Sequence, residues 1–425
     1  MGKFEKKRLL ELGTNVGSVE LVRYAKEEGA YVIVADYLPE EKSEAKQYAD
    51  ETVMISTTDI ESLCELGRKR KIDGVFCGIS EVNLLSVRKV AERLNLPCYF
   101  TQEQWEKTEN KAEFKKICEN YGIPVAKRYE VAYEELLYQR DDLKYPVVVK
   151  PVDRSAGIGI HICYSQEELI AGYKDAYEKS FCHQVIVEEY LVGLEYTATY
   201  SVINGEFTIS AIYDRYVNCG LKNQIPVTEV HVYPSKYVMQ YMDKVNPKLI
   251  EMMKSLGFSN GSFFVQGIAN EESVYIFEAG LRLAGSGTYR LIEHINGVNM
   301  LKLMTEYALT SQMTIGSARD DVFFGGKVCC TLNVLCRDGK IGKIEGTEEA
   351  KKVPGVVNTA VTYQEGDVIP AAVPIKYIFM RLYIVTDTKN QMRNSINKIH
   401  KLIKVWDDNG ENMRLDPLEP TSYLI

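Results

Sequence analysis

Three stretches of this chain have the residue types and spacing to handle a charged ligand. The first is YPVVVKPVDRSAGIGIHI, residues 145–162. Pro146-Val147-Val148-Val149 is short, apolar and β-branched, which predicts a buried strand. Lys150 ends it with a stem that packs and an ammonium that needs an anion or water. Ser155, Gly157 and Gly159 then let backbone N–H groups face a phosphate closely. The apolar IHICY predicts a returning partner strand. The pattern suits a phosphate clamp, and equally a flexible hairpin carrying a surface lysine.

The second stretch is GSFFVQGIANEESVYIFEAGLRLAGSG, residues 261–287. It reads as strand, turn, strand, with the turn near Glu271-Glu272. Gln266 and Glu278 are equidistant from that turn, so an antiparallel hairpin sets them opposite each other on one face. Two such oxygens suit a hard cation such as Mg2+, which takes one or two protein ligands and fills its shell with phosphate and water. A plain Gln–Glu contact on an edge hairpin fits the same spacing. Arg282 follows four residues after Glu278, among small residues that let a ligand approach the backbone. The third stretch, QVIVEEYLVGLEY, sets Glu188, Glu189 and Glu195 around a strand end and a turn, where a solvated edge is the alternative.

The elements that must position these residues follow from periodicity. Strand and helix patterns alternate through RLLELG, SVELVRYAKEEG, AYVIVADY, ETVMIS, DIESLCELGRKRK and DGVFCG, with LPCYFT as a last strand. This βαβ series predicts an open parallel sheet. Residues 104–145 read as mainly helical, with NKAEFKKICENYG stopping at Gly122. Strand hairpins follow, one over Asn204-Gly205. Helices are expected in VNPKLIEMMKSLG and GVNMLKLMTEYALTS. KVCCTLNVLCRDGKIGKI reads as a hairpin over Asp338-Gly339, MRLYIVTD as a strand and TKNQMRNSINKIHKLIKVW as a long amphipathic helix. The expected units are 1–103, 104–317 with a lid at about 145–195, and 318–425 as a small α+β unit.

The 425 residues suit two to four domains. A hydrophobic fraction of 45% and a charged fraction of 26% are those of a globular protein with a large core. A net charge of −8 with no long basic run argues against nucleic acid as the main partner. No signal-peptide-like h-region and no membrane-length apolar run is present, so a cytoplasmic protein with no membrane partner is expected. The ten cysteines form no CxxC pair and the five histidines complete no zinc spacing. Free buried thiols are expected, Cys77, Cys163 and Cys336 among them. A homodimer is the base-rate expectation.

Taken in order, these pieces resemble the ATP-grasp superfamily over roughly residues 8–310. The likeness is carried by ENKAEFKKICENYGIPVAK, YPVVVKPVDRSAGIGI, VIVEEYLVGLEY and YIFEAGLRLAGSG, and INGVNML resembles the helix-opening stretch of carboxylase-like members. The fold implied is mixed α/β and α+β: an ATP-grasp domain behind an N-terminal open parallel α/β sheet (the pre-ATP-grasp domain), with a small C-terminal α+β unit. The resemblance implies that Lys111 and Lys150 contact the nucleotide phosphates and that Ser155, Ala156, Gly157 and Gly159 cover them. It implies that Glu188, Glu189, Tyr190 and Leu191 read adenine and that Glu195 binds ribose. Gln266 and Glu278 would hold Mg2+, or Mn2+, while Arg282 and Arg215 would serve catalysis.

The implied activity is that of an ATP-dependent ligase of the carboxylate–amine type, similar to carbamoyl-phosphate synthase, biotin carboxylase or L-amino-acid ligase. ATP would convert a carboxylate to an acyl phosphate, and an amine would then displace phosphate; the partners are these small-molecule substrates. PGVVNTAVTYQEGDVI and MRLYIVTDTKNQMRNSINKI carry a weaker likeness to the C-terminal units of such ligases. One departure stands out. The family pattern Glu-x-Asn-x-Arg is here Glu278-Ala279-Gly280-Leu281-Arg282, so Gly280 replaces a metal-binding Asn. Three readings stay open: the ligase, a carbamoyl-phosphate-synthase-like enzyme, and a nucleotide-binding protein that has lost ligase activity. Gly13, Gly17 and Asp36 add a dinucleotide-dependent oxidoreductase, although their spacing is GxxxG and not GxGxxG.

Overall fold

The computed structural model describes residues 2–15, 17–137, 142–154, 157–219, 227–315, 319–371 and 374–424. At the N-terminus the strands Arg8–Leu12, Tyr31–Ala35, Glu51–Val53 and Gly74–Phe76 form a parallel sheet, with Arg8–Leu12 between Tyr31–Ala35 and Gly74–Phe76. Helices Ser18–Glu27, Ile60–Arg70 and Glu81–Leu94 connect or flank the strands. This is the βαβ series expected from the alternation. LPCYFT differs: it forms no strand, and Tyr99 instead donates its hydroxyl to the Leu281 carbonyl at 2.8 Å, tying this unit to the chain just beyond strand Val274–Gly280.

Space beside Gly13 and Gly17 is filled among the described residues. A Cβ at Gly13 would meet the Asn83 amide at 2.4 Å, and one at Gly17 would meet the Tyr289 hydroxyl at 3.0 Å. The chain's own side chains therefore occupy the space a pyrophosphate would need. Asp36 is buried and its carboxylate accepts from the Leu38 N–H at 2.9 Å.

Residues 104–145 are helical only in part. Helices Gln102–Glu109 and Lys111–Asn120 are separated by Asn110, which caps the second by accepting from the N–H groups of Ala112 and Glu113. Beyond Gly122 the chain is mostly irregular up to the lid. The lid is an antiparallel sheet in the order Arg128–Tyr129, Val185–Glu189, Val147–Pro151, His161–Cys163, backed by helix Gln166–Lys179. Val147 pairs with Cys163 and Val149 with His161, so IHICY does return beside the lysine strand. The lid has its own small core around Val147, Val149, Leu169 and Val187.

The central sheet has eight strands. Leu194–Ile203 and Glu206–Asn218 form the predicted hairpin over Asn204-Gly205, both of which take positive φ. Gly261–Ala269 and Val274–Gly280 add the second hairpin at one edge. On the other side Val227–Tyr233 pairs with Val328–Leu335, so the sheet runs unbroken across residue 318 and then takes in Ile378–Thr386 and Val356–Val361. The expected hairpin over Asp338-Gly339 does not form. Val328–Leu335 stays in the large sheet, while Gly339–Glu345 pairs with Lys404–Asp407 and Val368–Ile369 in a separate three-stranded sheet. Helix Lys389–Leu402 covers a second core around Leu332, Met380, Ile396 and Ile399.

Candidate active site

The hairpin of Gly261–Ala269 and Val274–Gly280 closes in the register expected: Gln266 stands directly opposite Glu278. A β-bulge follows immediately, between Gln266 and Gly267. Gly267 is required there, because a Cβ would lie 1.9 Å from the Tyr275 carbonyl oxygen. Gln266 also lies opposite Thr197 and donates its amide to the Thr197 hydroxyl at 3.2 Å, which leaves the amide oxygen free to bind a cation. Glu278 approaches Lys111 Nζ at 3.8 Å.

Phe264 accounts for the departure at position 280. Its ring Cε1 and Cζ lie 2.6 Å from where a Gly280 Cβ would sit. The space a third side-chain ligand would occupy is filled by an aromatic ring, and the Arg282 guanidinium lies 4.9 Å over that ring. The donor set that remains is one amide oxygen and one carboxylate. This fits a Mg2+ that draws its other ligands from phosphate and water. Among the described residues no cluster of three or more His, Cys, Asp or Glu side chains could hold a metal ion without such help.

The two lysines are held on different elements. Lys111 opens its helix, with its backbone N–H on the Val152 carbonyl and its Nζ on the Arg154 carbonyl at 2.7 Å. This ties the helix to the start of the glycine loop. Lys150 ends its strand with Nζ 2.9 Å from Glu188 Oε2. Glu188 is buried and accepts a second ammonium, Lys115, on Oε1. Burial alone would raise the Glu188 carboxyl; the charges of Lys150 and Lys115 outweigh it and hold the group below its ordinary value. Successive strand residues face opposite ways. Glu189 accordingly turns out of the cluster and accepts from the Lys127 N–H at 2.8 Å. Tyr190 donates its N–H to the Pro146 carbonyl at 3.3 Å, and Leu191 follows it beyond the strand end. Gly157 and Gly159 take φ of 76° and 74° in a turn after the lysine strand. Ser155 and Ala156 lie outside the described residues.

Glu195 and Arg215 are opposite residues on neighbouring strands and form an ion pair at 3.0 Å. The same cross-strand row continues through His231. His231 is buried, and its Nδ1 has no partner among the described residues. Burial, and then the charges of Arg215 and Arg381, push its pKa well down, so the ring is neutral. This row shares a sheet face with Gln266 and Thr197, because Glu195 and Thr197 are two apart on one strand.

At the Glu278 end of the hairpin lies a small cavity lined by Glu81, Glu109, Lys111, Phe264, Glu278 and Arg282. Arg282 Nη2 donates to Glu81 Oε2 at 2.6 Å, across the junction with the N-terminal unit. The side chain of Glu109, at the end of helix Gln102–Glu109, has no hydrogen bond or ion pair among the described residues. Burial, and then the charge of Glu81, push its carboxyl up to about 7. Ser286 and Arg290 are not part of this cavity. Ser286 bonds to Tyr213 and Thr288, and Arg290 is spent on Glu20 and the Tyr383 hydroxyl.

Sequence reasoning missed Lys115, Glu109, Glu81 and Phe264. Lys115 had a signal: it lies four residues after Lys111, on the face that also carries buried Phe114 and Cys118. Glu81 and Phe264 had none, since only the fold brings helix Glu81–Leu94 against the hairpin.

Known proteins resemble this chain in sequence and in fold. Residues 143–290 match the ATP-grasp domain family. The carbamoyl phosphate synthase large chain of Clostridium beijerinckii is 27% identical over 304 residues, 70% of this chain. The match covers only 27% of that protein's length, so this chain corresponds to about a quarter of it. Among solved structures, phosphoribosylglycinamide synthetase from Anaerococcus prevotii superposes with a TM-score of 0.74 at 20% identity, covering 95% of this chain and 100% of that one. L-amino acid ligase from Bacillus licheniformis gives 0.74 at 18% identity, with the same coverage. The biotin carboxylase domain of the Hydrogenobacter thermophilus 2-oxoglutarate carboxylase, solved with MgADP and bicarbonate, gives 0.74 at 17% identity, covering 96% of this chain and 91% of that one. Residues 143–290 thus carry the ATP-grasp domain match, and the chain shares the fold of these solved structures.

Proposed function

We propose that this protein is an ATP-dependent, ADP-forming ligase that activates a carboxylate as an acyl phosphate and joins it to an amine, an amino acid being the expected reactant. The observation that carries this reading is the shared cavity. Glu278, from the metal pair, and Lys111, from the nucleotide side, open onto the same space as Arg282, Glu81 and Glu109. A phosphate donor and an acceptor would meet there.

Each group has work in that scheme. Lys111 and Lys150 neutralise phosphate charge, and the turn carrying Gly157 and Gly159 closes over it. Glu195 takes the ribose hydroxyls, and the backbone at Tyr190 and Leu191 reads adenine. Gln266 and Glu278 would hold Mg2+, or Mn2+, which when bound offsets charge on the transferring phosphoryl group. Arg282 binds the carboxylate and then the acyl phosphate, and Arg215 adds positive charge on the same face. Glu81 and Glu109 give the opposite wall an acidic character that favours an ammonium over a second anion. Lid closure keeps water from the acyl phosphate.

A carbamoyl-phosphate-synthase-like reaction is the second reading, favoured by the match to that large chain. A homodimer and a cytoplasmic location complete the proposal; no helix among the described residues is long and apolar enough to cross a membrane. Hydroxylamine tests the ligase chemistry, because it intercepts acyl phosphates as hydroxamates. The expected result is hydroxamate and ADP from Mg-ATP with a subset of amino acids or small carboxylates. ADP binding without hydroxamate from any carboxylate would favour a nucleotide-binding protein without ligase activity.

A further inference from the structure

Two buried lysines share one buried carboxylate, and one of them has no assigned task. Lys115 and Lys150 both point at Glu188, one on each carboxylate oxygen. The three side chains are 4%, 9% and 2% exposed. With both lysines protonated, this buried cluster of two ammoniums and one carboxylate carries excess positive charge. Such a cluster is costly unless an anion arrives. If Lys150 alone faced Glu188, drawing it to a phosphate would leave a buried carboxylate without a counter-ion. That is the expensive half of breaking a buried pair.

We propose that Lys115 is a positioning residue of the nucleotide site: it is the counter-ion that stays with Glu188 and so frees Lys150 to pair with a phosphate. The proposal rests on the nucleotide-binding reading above and adds to it a residue and a way of working. The approach of the two strands supports it. Lys150 is one residue from the end of Val147–Pro151, lies 5.8 Å from the Phe277 ring of strand Val274–Gly280, and adjoins the glycine turn. Lys115 instead sits mid-helix under the lid strands, where no phosphate-facing loop begins.

The charge state adds a linked effect. Burial, and then the Lys150 charge, pull the Lys115 ammonium down to about 7. Glu188, on strand Val185–Glu189, pulls the other way. Cys118, one turn on along the same helix, is a neutral thiol, pushed up to about 12 by burial. Near neutral pH the free protein therefore holds Lys115 only partly protonated. A phosphate that takes over Lys150 relieves the repulsion, and Lys115 gains its proton. Nucleotide binding is thereby coupled to proton uptake.

Titration calorimetry with ADP, ATP and adenosine, run near pH 7 in buffers of different ionisation enthalpy, tests this on the wild type, Lys115→Met and Lys115→Arg. The wild type should take up a fraction of a proton on ADP binding. Lys115→Met should weaken ADP about a hundredfold, change adenosine far less, and abolish the proton uptake. Lys115→Arg, which keeps a permanent counter-ion, should bind ADP close to wild type without proton uptake. Wild-type affinity in Lys115→Met overturns the proposal, as does an equal loss of ADP and adenosine. Arg failing as badly as Met, with both variants folded, also overturns it. A wild type that binds no nucleotide would sink the ligase reading itself, an outcome distinct from these.

Discussion

Gly280→Asn puts back the side chain that the family pattern carries at this position, and Phe264 opposes it. The backbone at Gly280 is not in the left-handed region, so the obstacle is space alone. Two ring carbons lie 2.6 Å from the new Cβ, well inside any real contact. The ring cannot simply swing away, because Phe264 is 6% exposed and the Arg282 guanidinium lies over it. Overpacking of this kind costs about 1–3 kcal/mol. With a urea m-value of about 3 kcal/mol/M, the midpoint should fall by about 0.3–1 M. Trp105 lines the same cavity, and in a Trp406→Phe background its fluorescence alone reports the transition. Phe264→Leu removes the ring edge at its own cost of about 1–2 kcal/mol. The double variant should cost less than the sum of the singles by about 1–2 kcal/mol. A Gly280→Asn protein that unfolds at the wild-type midpoint, or single costs that add, would refute the assignment of that space to Phe264.

Other outcomes follow from the same geometry. Lys150→Met removes a charge-assisted phosphate contact of about 1.5–3 kcal/mol, so the Kd for ADP should rise about ten- to a hundredfold; an unchanged Kd would remove Lys150 from the phosphate site. Arg282→Ala should bind ADP as wild type does and yet release no phosphate above background, and equal loss of both would count against its acceptor role. The Glu109 carboxyl is raised in the fold, so its contribution to stability is complete below the ordinary glutamate range and is lost as pH rises towards about 7. Measured in EDTA, the wild type should lose stability relative to Glu109→Gln over that window. Parallel stability curves would contradict the placement of Glu109 against Glu81.

What the sequence made legible was set by local chemistry. The Gln266–Glu278 register could be counted from the turn because an antiparallel hairpin converts equal offsets into facing residues. Lys150 was legible because a lysine ending a β-branched run needs a partner. The failures concern what crosses the chain. The strand expected in LPCYFT gave way to a tertiary hydrogen bond between Tyr99 and Leu281. The Asp338-Gly339 turn carried a hairpin signature, yet Val328–Leu335 found better neighbours in Val227–Tyr233 and Ile378–Thr386, both far away in sequence. Gly13, Gly17 and Asp36 offered a crevice on paper that Asn83 and Tyr289 fill in space. The acidic wall was invisible for the same reason, since Glu81 lies 201 residues from Arg282 and their meeting depends on tertiary packing.

Phosphate release from Mg-ATP, assayed with amino acids and small carboxylates singly and in amine–carboxylate pairs, with product masses recorded, tests the central claim most directly. The expected result is release that requires a pair and a product whose mass is the sum of the two reactants less water. Release that no carboxylate stimulates, from a protein that binds ADP, would contradict it.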